Sequence, residues 1–216
     1  MCGSGRATFW LLTRSERKKR QIRRALRGLP RRSVVLAEDE TDLLLFPPLR
    51  AMWSLRGQPA RVMLSGWNAH RVVFGAMNLI TGHRLFLVRQ RQRAEDFQAF
   101  LREVRRCYRG WHVVLLLDGG RSHTAATSRT LAHRLNIRLL WLPKRAPELN
   151  PMDTLWGQAK DAIAANKQYA DIGAQVEAFI THLMSLSNKE TLQTSGVLSE
   201  QFWLRHVLSK NFCGPA

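Results

Sequence analysis

Residues 72–89 read VVFGAMNLITGHRLFLVR. Two runs rich in β-branched and aromatic residues, Val72–Asn78 and Leu85–Arg89, flank the turn signal Thr81-Gly82-His83, and this pattern predicts an antiparallel hairpin. The hairpin argues against a doubly wound nucleotide-binding sheet, in which a helix separates successive parallel strands. No glycine-rich phosphate loop follows the first strand, and no P-loop pattern occurs anywhere in the 216 residues.

Working outward, the apolar run Val34–Ala37 predicts a short buried central strand, and Arg61–Leu64 another strand before the hairpin. Between them the chain is broken by Pro47-Pro48 and predicts an irregular excursion. Beyond the hairpin, Phe97, Phe100, Leu101 and Val104 repeat at helical spacing within Ala94–Cys107. A strand over Val113–Leu117, a helix over Ser122–Leu135 and a strand over Ile137–Leu142 follow. Asn150 is a good N-cap and Pro151 a good first helical residue, so the next helix starts there and buries Met152, Leu155, Trp156, Ala159 and Ile163. Asp171 caps a further helix, and after Ser185 the chain is polar and weakly patterned. The element order predicts an α/β chain with a mixed five-stranded sheet flanked by helices in three layers, the order of a ribonuclease-H-like domain. The expected division is a basic linker or tail over 1–32, the ribonuclease-H-like domain over 33–185, and a partly helical tail over 186–216.

Charge narrows the partner. The chain has 34 Lys and Arg against 16 Asp and Glu, a formal net charge of +18. Eleven of those basic residues and a single acid, Glu16, fall within residues 1–32. Such a surplus suits a polyanion such as nucleic acid, because each neutralised phosphate releases counterions, or else marks a ribosomal-type or simply GC-biased basic protein. Within 1–32, Ser15 is a candidate cap for a short helix with Ile22, Ala25, Leu26 and Leu29 on one stripe. The helix would present Lys18, Lys19, Arg20, Arg23 and Arg24 to a phosphate backbone, or form a solvated tail. Cys2, Cys107 and Cys213 lack metal-ligand spacing and read as free thiols in the reducing compartment of a cytoplasmic protein. No stretch approaches the ~18 uninterrupted apolar residues of a membrane span.

Three acids stand out. Asp39 and Asp118 each end an apolar run, and Asp153 lies in the first turn of the helix begun by Asn150-Pro151, with 34 residues between it and Asp118. In the predicted sheet Asp39 and Asp118 lie on neighbouring strands, with Asp153 arriving from the helix packed across them. Converging carboxylates repel unless cations neutralise them, and two Mg²⁺ or Mn²⁺ ions in such a cage can clamp an in-line displacement at phosphorus. Glu38 and Glu40 flank Asp39 on the opposite strand face, and either becomes the ligand if the register shifts by one. His123, five residues past Asp118, could position a phosphate or water, or satisfy backbone at a helix start. Lys144 and Arg145 precede Asp153 in the loop and suit phosphate contacts, while Trp53 reads as a structural residue or part of a contact loop.

The segments Asp39-Glu40-Thr41, Trp53-Ser54-Leu55-Arg56-Gly57-Gln58-Pro59, Leu117-Asp118-Gly119-Gly120-Arg121-Ser122-His123 and Pro147-Glu148-Leu149-Asn150-Pro151-Met152-Asp153-Thr154-Leu155-Trp156 resemble the catalytic domain of mariner-superfamily transposases, in particular the bacterial insertion-sequence branch. The resemblance covers about residues 33–185. It implies Asp39, Asp118 and Asp153 as the metal-binding catalytic triad, a TA target, and metal-dependent DNA cleavage and strand transfer. Two positions depart from the bacterial pattern: the third acid is Asp153 rather than Glu, as in mariner elements, and Gly119 stands where Asn is common. Members of this superfamily carry helix-turn-helix modules ahead of the catalytic domain, for which some 32 residues leave no room. The expectation is therefore a catalytic half, as a homodimer or assembled with full-length transposase. The alternative is a catalytically inactive DNA-binding remnant or regulator.

Overall fold

The structure, a computed structural model, describes residues 13–58, 61, 62, 64 and 66–211. Cys2, Cys213, Pro59 and residues 1–12 of the basic segment lie outside the described residues. Five strands, β1 (Ser33–Leu44), β2 (His70–Asn78), β3 (Arg84–Arg89), β4 (His112–Leu117) and β5 (Ile137–Trp141), form one sheet in the order β3-β2-β1-β4-β5. The first three pair antiparallel, and β4 and β5 join β1 in parallel. The hairpin forms as expected, with Gly82 at φ 73° in its turn, a conformation few other residues adopt.

Alternation along the strands builds two cores. Val34 and Leu36, with Val72 and Phe74, pack against α2 (Ala94–Cys107) and α4 (Ala126–Arg134). Val35 and Ala37, with Val73 and Met77, face α5 (Pro151–Ala164) and α6 (Ile172–Ser185). β1 runs well past its apolar stretch, because β2 pairs with it from Leu36↔Asn78 to Leu44↔His70. Asp39 therefore sits inside the strand, opposite Gly75, and not at its end. Among the described residues the expected strand does not form over 61–64: Arg61, Val62 and Leu64 belong to the excursion between β1 and β2. Both edges of β2 are already taken, and Leu64 is exposed. Trp53 is fully exposed on the same excursion, so it is no core residue.

The expected helix over Ser122–Leu135 breaks at Ala125 into α3 (Arg121–Thr124) and α4. The Ser128 hydroxyl donates to the Ser122 carbonyl at 2.7 Å, satisfying an acceptor that the break leaves without its helical partner. α1 (Arg14–Arg27) is capped by Thr13, whose hydroxyl accepts from the Glu16 amide, and not by Ser15.

The flanking segments are integral to the body. Ile22 and Leu26 of α1 share a core with Leu192, Val197, Leu204 and Val207. Burying each of the two α1 side chains contributes about 1.5–3 kcal/mol, enough to hold a strongly basic helix against the protein. Residues 186–211 are partly helical and pack on the body. They form α7 (Asn188–Thr194), begun by a Ser187/Glu190 capping box, and α8 (Arg205–Asn211). Among the described residues no helix is long and apolar enough to cross a membrane.

Arg84 fastens the hairpin to the helical layer. Its buried guanidinium donates to the carbonyls of Leu183 (2.8 Å), Met184 (3.2 Å) and Leu186, the last acceptors around the α6 C-terminus. Those groups have no helical donor, and a cation there complements the helix dipole. Arg84→Met should lower stability by about 2–4 kcal/mol, measured by urea unfolding, since it leaves several carbonyls unpaired in the interior. A change below ~1 kcal/mol would show that water replaces the guanidinium.

Candidate active site

Three carboxylates reach one cleft from three elements. Asp39 projects from β1 on the face that packs against α5, Asp118 directly follows β4, and Asp153 stands in the first turn of α5. Together with Lys144, Arg145 and Asn150 they line a cleft of about 400 Å³. Asn150 sets the approach of α5. Its side-chain oxygen accepts from the Met152 amide at 3.2 Å, and its Nδ2 donates to the Glu38 carbonyl at 2.8 Å. One side chain thus caps the helix carrying Asp153 and ties it to the strand carrying Asp39. The turn before α5 is held from behind, where the Trp203 indole donates to the Leu149 carbonyl at 3.0 Å.

The electrostatics are those of crowded acids. Burial, then the charges of Glu40, Asp118 and Asp153, push the Asp39 carboxyl up to about 7. Lys160, two turns beyond Asp153 on α5, is lowered by burial, against the opposing pull of Asp42, Asp153 and Asp39. Carboxylate oxygens converging on a cleft, with like-charge repulsion left over, suit a hard divalent cation. Asp39, Asp118 and Asp153 are the residues that could hold one.

Glu38 and Glu40 point through the other face of β1, as alternation requires, and meet His123. The His123 ring is 1% exposed, with Nδ1 2.8 Å from Asp118 Oδ1 and Nε2 2.7 Å from Glu40 Oε1. Glu38 Oε2 lies 3.7 Å from Nε2, and neither of its oxygens has a hydrogen-bond partner. Burial, then Glu40, raises the Glu38 carboxyl well above the usual range, against the opposing pull of His123. Burial alone would lower the His123 imidazole, but Glu38, Asp118 and Glu40 outweigh it and hold it at about 11. Both ring nitrogens face carboxylate oxygens, which only accept, so the ring is an imidazolium. Among the described residues Glu38, Glu40 and His123 are the group whose ligand atoms lie within 4.8 Å of one another, but the positive charge among them is the histidine's own.

Several residues expected to meet DNA are placed differently. His123 is buried behind the sheet and cannot touch a phosphate. Arg23 donates to the Trp203 carbonyl at 3.1 Å and lies over its ring, and Lys19 pairs with Glu16 at 2.9 Å. Both are engaged within the protein. Arg20 and Arg24 are exposed on α1, Lys144 and Arg145 are exposed at the cleft, and Lys18 faces an adjoining groove. That groove, about 870 Å³, runs between α1 and the end of β5 and shares Gly119, Leu142, Pro143 and Lys144 with the acidic cleft.

Residues 34–174 match the family model of the DDE superfamily endonuclease. The chain belongs to this family. Its relatives include the insertion element IS630 uncharacterized 39 kDa protein of Shigella sonnei, 28% identical over 155 residues, which are 71% of this chain and 45% of that protein. The chain thus spans under half the length of that relative. An uncharacterized protein of Sinorhizobium fredii, y4pE/y4sA, is 30% identical over 128 residues, 59% of this chain and 90% of that one. Among solved structures, the catalytic domain of Mos1 mariner transposase superposes with a TM-score of 0.60 at 17% identity, covering 95% of this chain and 98% of that one. The Mos1 strand transfer complex gives 0.68 at 18% identity, covering 98% of this chain and 66% of that one. These likenesses establish the ribonuclease-H-like fold of this DDE endonuclease.

Proposed function

We propose that this DDE endonuclease is the catalytic unit of an insertion-sequence transposase, cutting double-stranded DNA at element ends and joining it to a target. The observation that carries the reading is the convergence of Asp39, Asp118 and Asp153 on one cleft bordered by Lys144 and Arg145. Two divalent cations, Mg²⁺ or Mn²⁺, held by the three carboxylates would supply Lewis acidity for activating the attacking oxygen and steadying the leaving one. Structures of Mos1 paired-end complexes with Mg and with Mn support that choice of metals. Lys144 and Arg145 bind the phosphate that enters the cleft, and Lys18 meets the backbone along the adjoining groove, while Arg20 and Arg24 stand on α1 outside its lining.

In the first reaction water adds to phosphorus, the P–O3′ bond breaks, and the departing oxygen takes a proton to become a 3′-hydroxyl. That hydroxyl then adds to a target phosphorus, whose own P–O3′ bond breaks. The two steps share one geometry, so one set of carboxylates serves both. Purified protein with Mn²⁺ and supercoiled DNA should produce nicks, and Asp118→Ala should remove them. DNA binding with no metal-dependent nicking at any Mn²⁺ concentration would overturn the reading in favour of a non-catalytic DNA-binding role.

A further inference from the structure

Asp118 is held by side chains that never reach the cleft. Its Oδ1 accepts from His123 Nδ1 and from the Gly120 amide, each at 2.8 Å. The far nitrogen of the same ring donates to Glu40 at 2.7 Å, and Phe97 packs on the ring with centroids 4.5 Å apart. Asp118 is the exposed partner in this arrangement: its side chain is 63% exposed, against 1% for His123 and 5% for Glu40. An exposed aspartate just past a strand would otherwise sample several rotamers. Here two donors occupy one oxygen, which leaves the other for the cleft. Glu40 is itself fixed, because its backbone pairs with Phe74 in the sheet. The imidazolium therefore ties the acid beyond β4 to β1, the strand that carries Asp39.

We propose that His123, anchored by Glu40, is a positioning residue that fixes Asp118 in its metal-binding orientation. This rests on the reading of Asp39, Asp118 and Asp153 as metal ligands. It gives His123 a task without contact to DNA, and it accounts for a buried ring whose two nitrogens face carboxylates on two elements.

The two nitrogens can be tested apart. In His123→Asn the side-chain amide occupies roughly the place of Nδ1, keeping a donor for Asp118 and losing Glu40. In His123→Gln the amide reaches the place of Nε2, keeping Glu40 and losing Asp118. Mn²⁺ binding to the full chain, followed by electron paramagnetic resonance without DNA, should be within about threefold of the parent for Asn. It should be about ten- to a hundredfold weaker for Gln. The Mn²⁺ concentration giving half-maximal nicking should follow the same order. A merely space-filling histidine predicts equal losses, and one serving Glu40 predicts the reverse order; either result overturns the proposal.

If His123→Asn does not fold, the parent protein decides. The ¹⁵N-bonded Nδ1 proton of His123 should shift on titration with Mg²⁺, and an unmoved signal at saturating Mg²⁺ overturns the proposal. Parent protein that binds Mn²⁺ no better than Asp118→Ala sinks the metal-ligand reading together with this inference. Parent binding with Asn and Gln variants alike sinks the positioning role alone.

Discussion

Asp39→Asn should reduce metal-dependent nicking by about 10³-fold or more and, in the same protein without metal, raise the melting temperature. The loss follows from removing one of three anionic ligands, a deficit of about 4 kcal/mol in stabilisation of the transition state. The gain follows from the crowding. The Asp39 carboxyl is raised from 3.8 to about 7 by burial and by Glu40, Asp118 and Asp153. A folded value above the unfolded one means that stability is fully present below the unfolded value and is lost as pH rises to about 7. The neutral amide escapes that loss. In EDTA the two proteins should melt together near pH 4, and the variant should pull ahead as pH climbs from about 4 to about 7 and keep its lead above that. Allowing for partial exposure, the advantage at pH 8 should be about 1–2 kcal/mol, or roughly 3–6 °C for a chain of this size. Mn²⁺ should reverse the ranking by stabilising the parent more. Equal melting temperatures in EDTA at pH 8 would show that the cluster is not strained by like charge.

How far the site was legible in the sequence depends on how local its signals are. The hairpin, α2 and the Asn150-Pro151 start of α5 were readable because turn residues, apolar period and caps act over a few residues. The apolar run of β1 stops at Ala37, yet the strand continues through Glu38, Asp39 and Glu40. Pairing with β2 supplies the backbone bonds, and His123, 83 residues from Glu40, supplies the counter-charge. A strand that buries two glutamates is not apparent from periodicity alone. The Asp-to-His spacing from 118 to 123 is visible in the sequence, but the burial of the ring depends on the break at Ala125, which nothing in the local sequence announces. Arg84 and Trp203 act on partners 99 and 54 residues away. One further signal was available: Ser187-Asn188-Lys189-Glu190 is a capping box, and it marks α7 in what otherwise reads as a polar tail.

Gly75 is the residue on which the depth of the cleft turns, and Gly75→Ala should cost both stability and cleavage. It lies in the middle of β2, where glycine weakens a strand unless another group needs the space. A Cβ at this position would come within 2.5 Å of the Trp156 ring and 2.9 Å of the Met152 side chain. The ring cannot swing aside, because Phe86 and Phe179 pack against it with centroids 5.7 and 5.8 Å away. The remaining freedom is for α5 to lift from the sheet. Asp153 precedes Trp156 by one turn on that helix, and Asp39 sits opposite Gly75 on β1, so the lift opens the distance between the two carboxylates. Overpacking should cost about 1–3 kcal/mol, and a displacement of ~1 Å at the site should lower nicking by about 10²-fold. The cause can be isolated with Trp156→Phe, which removes the ring atoms that the new methyl meets. That change alone should destabilise by leaving a void, but added to Gly75→Ala it should restore stability and part of the activity. Coupling of this sign in a double-mutant cycle identifies the contact between β2 and α5 as the spacer of the site. Purely additive losses would place the effect of the methyl in the strand itself.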